Sequence, residues 1–373
     1  MFQNGNTMAK QRYAGIMAGG SGERFWPLSR YRLPKQLLKL PGQSKTLLGE
    51  TLERLKGIVP DQQIFILTAE HLAQSILLSD SELSAQNLLI EPLKRNTAGC
   101  LCWLAANLLA KGVEPGETTL AILPSDHRIS PLEQFRETVG HAMDVAEKSG
   151  AIVTVGLKPI RPETGYGYIE AELSRDSGDQ SSSYAYPVKQ FHEKPAPEVA
   201  ELYASNPAFL WNSGMFFWRL DTFLSEIERV APLHFSVIQR LVPLIEMGDI
   251  LQAERTFAEL PDISIDYLLL EHAPNVLVLQ AGFDWDDVGS WDALARYLDT
   301  DGLGNATVGD SVIEQSHGCI VHNESQNLTV CLSGVENLLV VTTDDAILIC
   351  DKSRVQTVRD VVSRLRERNS RKL

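Results

Sequence analysis

The chain has 373 residues, 44% of them hydrophobic and 22% charged, with 34 Lys and Arg against 48 Asp and Glu for a net charge of −14. That length supports a sizeable core without disulfide or metal staples, and the negative balance argues against duplex nucleic acid as a partner. No apolar run approaches the roughly 18–20 residues of a membrane span, and five cysteines without a CxxC spacing argue against a disulfide framework or a structural zinc site.

The first twelve residues, MFQNGNTMAKQR, lack the apolar core of a signal peptide and read as a disordered polar leader, so a cytoplasmic location is expected. From Tyr13 onward, β-rich runs at Tyr13–Met17, Ile64–Leu67, Asn87–Ile90, Leu120–Leu123 and Ile152–Val155 alternate with helical patterns. Those patterns lie near Thr46–Lys56, His71–Leu78, Thr97–Lys111 and Leu132–Lys148. Such alternation predicts an α/β fold with a doubly wound, mostly parallel sheet, whose ligands bind beyond the carboxyl ends of the strands.

Ser174–Tyr186 reads as a loop between two antiparallel strands, being rich in Ser, Asp and Gly. Helical patterns return at Pro197–Ala204, Leu220–Val230, Leu233–Glu246 and Ser264–His272, and a strand at Asn275–Leu279 precedes a Trp- and Asp-rich turn at Asp284–Trp291. Beyond about residue 300 the pattern changes to short Val, Ile and Leu runs without a strict repeat. Residues 301–373 are therefore expected to form a small C-terminal β domain ending in a helix, after a main domain over 13–300.

The run Ala18-Gly19-Gly20-Ser21-Gly22-Glu23-Arg24 directly follows the first strand, where glycines let backbone N–H groups approach a phosphate. It fits neither a Walker loop, which needs Lys-Ser/Thr after its last glycine, nor a dinucleotide fingerprint, because Phe25 stands where glycine or alanine is required. No Gly-x-Ser-x-Gly elbow is present. Arg24 and Lys35 place a guanidinium and an ammonium beside this loop, a combination suited to a triphosphate.

The stretch AGGSGERFWPLSRYRLPKQ resembles the signature of the sugar-1-phosphate nucleotidyltransferases, and its WPLSR and PKQ forms are most similar to the mannose-1-phosphate guanylyltransferase branch. EPLKRNTA, LPSDH, GYGYIE, FHEKP, WNSGMFFW, SIDY and FDWDDVGSWDAL follow in the family's order up to about Leu298. The resemblance implies attack by the phosphate of mannose 1-phosphate on the α-phosphorus of GTP, yielding GDP-mannose and diphosphate. It carries Mg²⁺ ligation onto Asp126 and Asp287, the latter standing immediately before Val-Gly, with Asp284 and Asp286 as adjacent competitors. Arg24 and Lys35 then neutralise the triphosphate, and Gly19, Gly20, Ser21, Gly22, Asn96, Thr97 and Ser125 hold the nucleotide. Gly167, Glu193, Lys194 and Asn212 face the sugar phosphate. The same chemistry on another hexose- or heptose-1-phosphate, or a non-catalytic nucleotide-sugar-binding regulator, are the alternatives. The resemblance also implies a homodimer, and a chain without room for the isomerase domain of longer relatives.

Two features compete for attention. His317 and Cys319 would share one face of a strand with His322 on the other, so the three are not expected to hold a metal. The segment Asp351–Leu373 carries eight basic and three acidic residues. Its stripe Val355, Val358, Val362 and Leu365 predicts a helix docked on protein rather than on nucleic acid or membrane.

Overall fold

Strands rich in Ala, Val, Ile and Leu that are buried on both faces read as the centre of a sheet covered by helices on each side. The computed structural model describes residues 11–20, 22–79, 84–172 and 185–373. The first half runs β1 (Gln11–Met17), α1 (Leu47–Leu55), β2 (Ile64–Ala69), α2 (Glu70–Leu77), β3 (Leu88–Glu91), α3 (Asn96–Ala110), β4 (Thr118–Pro124), β5 (Arg128–Ser130), α4 (Leu132–Ser149) and β6 (Ile152–Leu157). It continues with β7 (Tyr168–Ala171), β8 (Ala185–His192), α5 (Pro197–Ser205), β9 (Phe209–Arg219), α6 (Leu220–Val230), α7 (Pro232–Met247), α8 (Ile250–Phe257), β10 (Val276–Gln280), β11 (Asp284–Asp286) and α9 (Trp291–Ala295).

The main sheet has the order β3-β2-β1-β4-β9-β6-β10-β8-β7. Strands β3, β2, β1 and β4 are parallel, and so are β6 and β10, while β9 runs antiparallel between β4 and β6. One apolar core lies under α1, α2 and α4 and a second under α3, α6, α7 and α8, which makes the sheet doubly wound. The chain leaves β1 toward β2 and β3 and returns on the opposite side through β4, creating the switch point at which α/β folds bind ligands. Met17 pairs with Pro124 there, so the loops after β1 and β4 leave the sheet side by side.

Strand β1 starts earlier than the leader reading allows. Gln11 and Arg12 pair with Thr118 and Thr119, and Arg12 makes an ion pair with Glu147 at 2.8 Å. Residues 1–10 and most of the loop expected at Ser174–Tyr186 lie outside the described residues, although the strands flanking that loop, β7 and β8, pair antiparallel as expected.

The C-terminal strands are β12 (Ala306–Val308), β13 (Ser311–Glu314), β14 (Ile320–Asn323), β15 (Val330–Ser333), β16 (Leu338–Thr342) and β17 (Ile347–Asp351), followed by α10 (Val358–Glu367). Strands β12, β14 and β16 stack in parallel, β13 and β15 form a second parallel stack, and β17 closes the first stack antiparallel. This is coiled β-helix geometry. The valine stripe docks on its own chain: Val355, just before α10, and Val358 and Val362 within it share a core with Phe25, Trp26, Leu28, Val288 and Trp291 as well as with Ile320, Leu339 and Val341. Trp26 Nε1 also donates to the Lys372 carbonyl at 2.8 Å. Cys319 and His322 turn inward while His317 stays exposed, so His317 and Cys319 do not share a face. Gly318, at φ 62, breaks the strand between them and with it the alternation.

Candidate active site

The loop after β1 is shaped by Gly22, at φ 60, where a Cβ would stand 2.4 Å from Lys35 Cβ. Only glycine allows this close approach without strain, so the loop and the stem of Lys35 rest against each other. Lys35 opens a short 3-10 turn after Pro34, and its side chain is buried. Its ammonium donates to Asp126 Oδ2 at 2.8 Å and to the Asp287 carbonyl. Arg24 Nη1 donates to the Gly289 carbonyl at 3.1 Å, leaving its buried Nε without a partner.

Strands β5 and β11 pair antiparallel, matching Arg128 with Asp286, and this small ribbon brings Asp126 and Asp287 to one mouth. Of the three neighbouring aspartates, Asp286 is buried and accepts from Arg296 at 2.7 Å and from the Val288 amide, while Asp284 is exposed. Asp287 is the one that lines the crevice, accepting from Tyr166 at 2.8 Å and from the Gly289 amide at 3.0 Å. The turn carrying it holds Val288 at φ 43, a strained conformation for a β-branched residue. Burial, then the charge of Asp287, pushes the Tyr166 hydroxyl far above its ordinary value, so it remains a donor. Burial raises the carboxyl of Asp126, but the charges of Lys35 and His127 outweigh it and keep Asp126 below its usual range.

Asp126, Tyr166 and Asp287 share a cavity of about 360 Å³ with Gly20, Thr97, Ser125, Gly167, Glu193, Lys194, Asn212 and Asp266. Gly167 makes room for Glu193, whose Oε2 would lie 2.8 Å from an added Cβ. Lys194 sits at φ 40 and pairs with Glu193 at 2.5 Å. Asn212 donates from Nδ2 to Asp266 at 3.0 Å and accepts from the Gly214 amide at 3.0 Å. Asn96 is not brought in: it is exposed at φ 55, and its side-chain oxygen accepts from the Thr97 amide at 2.9 Å. Gly19 lies near Glu91, and Ser21 lies outside the described residues. Among the described residues no three His, Cys, Asp or Glu side chains converge as a metal cluster. Asp126 and Asp287 alone fit a hard divalent cation that takes its other ligands from phosphate and water.

Two residues that line the cavity escaped the sequence reading. Tyr166 and Asp266 lie inside motifs that were read, GYGYIE and SIDY, yet nothing local marks them as cavity-facing. Burial, then the charge of Glu193, raises Asp266 to about 6. Glu91, at the end of β3, is raised by burial to about 7 against an ordinary 4.5. The folded state thus holds a proton that the unfolded chain has released between those values, and Glu91 costs stability increasingly as pH rises. Glu91→Gln is expected to be more stable than the parent at pH 8 by roughly 3 kcal/mol, shrinking below about 1 kcal/mol at pH 5. Urea denaturation at both pH values checks this, and an equal difference at both would refute it.

A family model described as nucleotidyl transferase matches residues 13–301, over the sheet and the crevice. The chain belongs to the nucleotidyl transferase family. A second model, the MannoseP isomerase/GMP-like beta-helix domain, matches residues 309–365, in agreement with the stacked strands. The chain is 36% identical to a mannose-1-phosphate guanylyltransferase of Escherichia coli over 94% of its own length and 73% of that protein. It is also 36% identical to the alginate biosynthesis protein AlgA of Pseudomonas aeruginosa, over 94% of this chain and 71% of that one. A solved structure named mannose-1-phosphate geranyltransferase, from Thermus thermophilus, superposes with a TM-score of 0.82 at 35% identity, covering 95% of this chain and 99% of that one. Members of this family generally use a divalent metal.

Proposed function

We propose that this nucleotidyltransferase transfers GMP from GTP to α-D-mannose 1-phosphate, giving GDP-mannose and diphosphate. A phosphate oxygen of the sugar phosphate forms a bond to the α-phosphorus. The bond from that phosphorus to the bridging oxygen breaks, and diphosphate leaves with the electron pair. Both reactants are anions, so positioning and charge neutralisation carry the catalysis. The observation that supports this most is the Lys35 ammonium, which links the Asp126 carboxylate to the Asp287 backbone where the glycine loop meets the crevice.

On this reading Lys35 and Arg24 stabilise charge at the α-phosphorus and on the leaving diphosphate. The Gly19–Gly22 loop offers its amides to phosphate oxygens, with Ser21 included. Thr97 and Ser125 hold the nucleotide from the mouth of the cavity, and Asn96 supports them indirectly through the Thr97 amide. Glu193 and Asn212 accept and donate hydrogen bonds to sugar hydroxyls, Lys194 pairs with the sugar phosphate, and Gly167 keeps the path to them open. Mg²⁺, held by Asp126 and Asp287, would supply further neutralisation between the phosphates.

Pyrophosphate release across a grid of nucleoside triphosphates and sugar 1-phosphates tests the reading. A maximum at GTP with mannose 1-phosphate is expected, and a maximum at another pair would overturn the substrate assignment. A cytoplasmic location belongs to the same reading; no helix of the described residues is long and apolar enough to cross a membrane. So does a homodimer, for which the outward Ile347 and Ile349 of the edge strand β17 offer an apolar surface. Light scattering at the mass of one chain would remove the dimer.

A further inference from the structure

The C-terminal helix reaches the phosphate end of the crevice. A cavity of about 180 Å³ adjoins the main one and is lined by Gly22, Arg24, Lys35, Asp126, Asp287 and, from α10, Arg359. Helix α10 is fixed there by Val355, Val358 and Val362 in the shared core and by an ion pair from Arg366 to Glu23 at 2.6 Å. Arg359 lies one position after the buried Val358 and is itself exposed. Among the described residues it has no hydrogen bond or ion pair, although three carboxylates border the same cavity. Each of the three is otherwise engaged: Glu23 by Arg366, Asp126 by Lys35, and Asp287 by Tyr166 and the Gly289 amide.

Arg359 therefore faces Arg24 and Lys35 across this cavity with, among the described residues, no acidic partner of its own. Arg24 is half-buried, its Nε has no acceptor, and burial together with the charge of Arg359 disfavours its cationic form. Two guanidiniums and one ammonium facing a common space at the end of a glycine loop match a polyanion with several oxygens to share among them. We infer that Arg359 binds the β- and γ-phosphates of the nucleoside triphosphate and the diphosphate product, so that the C-terminal β structure completes the active site of its own chain. This rests on the proposed nucleotidyl transfer for the identity of the anion. It accounts for a placement that docking alone does not require, since the valine stripe would seat α10 equally well with a neutral residue at position 359.

The test uses the full chain with Arg359→Glu, Arg359→Ala and Arg359→Lys. Forward KM values are measured for GTP and mannose 1-phosphate, the reverse KM for diphosphate, and diphosphate binding by calorimetry without turnover. A charge-assisted contact of this kind is worth about 10- to 100-fold in affinity. Arg359→Glu is expected to raise the KM for GTP and for diphosphate by at least about 10-fold, to weaken diphosphate binding to match, and to leave the KM for mannose 1-phosphate within about twofold. Arg359→Lys is expected to recover most of the loss. Unchanged KM values for GTP and diphosphate in Arg359→Glu would overturn the inference. So would an equal loss for all three ligands with a lowered melting temperature, which marks a structural role only. Wild-type protein that makes no GDP-mannose, yet binds diphosphate more tightly than Arg359→Glu does, would sink the proposed reaction and leave Arg359 as an anion ligand.

Discussion

Asp126→Asn and Asp287→Asn are each expected to lower turnover by about 10³-fold, while Asp284→Asn leaves it within about twofold. The three differ in what their carboxylates face. Asp284 is exposed at the start of β11, outside the crevice, whereas Asp126 and Asp287 border both the main cavity and its phosphate end. Asparagine preserves an oxygen for Lys35 at position 126 and for Tyr166 and the Gly289 amide at position 287, so the fold is kept while the negative charge is lost. On the proposed reading two phosphates meet where these carboxylates stand, and two adjacent anions alone would repel them. A divalent cation held by Asp126 and Asp287 would turn that repulsion into attraction. If each aspartate holds the metal, the activity of both variants recovers in part at high Mg²⁺, since the phosphates would still ligate it. Initial rates over a Mg²⁺ titration, with melting temperatures as the control for folding, measure this. Near-normal rates in either variant at limiting Mg²⁺ would withdraw that aspartate from the metal site.

The parts of this site that were legible in the sequence are those whose signal is local. A strand followed by clustered glycines and then Arg24 and Lys35 occupies one continuous stretch, and the structure closes it on itself through the contact between Gly22 and Lys35. The helices Leu220–Val230 and Leu132–Ser149 carry regular apolar stripes and lie within a residue of where the pattern places them. Strand β9 was illegible as a strand because both its faces are buried. Its aromatic run therefore shows no alternation to separate it from any other core segment. Over Ser264–His272 the helical signal was real, but the chain widens into a π-turn at Asp266–Leu270, which tips Asp266 into the cavity. The stacked strands of the C-terminal region hid their repeat for another reason. Ala306, Ile320 and Leu339 stack in successive coils separated by unequal loops, so no fixed period survives in the sequence. Arg359 reaches the phosphate-side cavity through tertiary packing alone, and no spacing rule could have named it.

Lys35→Ala is expected to lower kcat/KM by about 10²- to 10³-fold, and Lys35→Arg is expected not to restore it. If charge were all that position 35 contributed, arginine would serve as well as lysine. The geometry asks for more. The Cβ and backbone of Lys35 rest against Gly22, and its nitrogen lies against one oxygen of Asp126 and the carbonyl of Asp287. A compact ammonium with three donors can meet both acceptors and still turn its third proton toward a phosphate. A planar guanidinium is larger, and its fork suits a single carboxylate rather than two acceptors on different segments. Lys35 therefore ties the turn after β4 to the turn after β11, and its loss should separate the two aspartates as well as remove a cation. That dual role separates the kinetic constants. Loss of charge alone raises the KM for GTP, whereas displaced aspartates also lower kcat and shift the Mg²⁺ dependence upward. Measuring all three in Lys35→Ala and Lys35→Arg decides the matter. Wild-type kcat and Mg²⁺ dependence in Lys35→Arg would show that position 35 needs only a positive charge, and that the two turns hold their places without it.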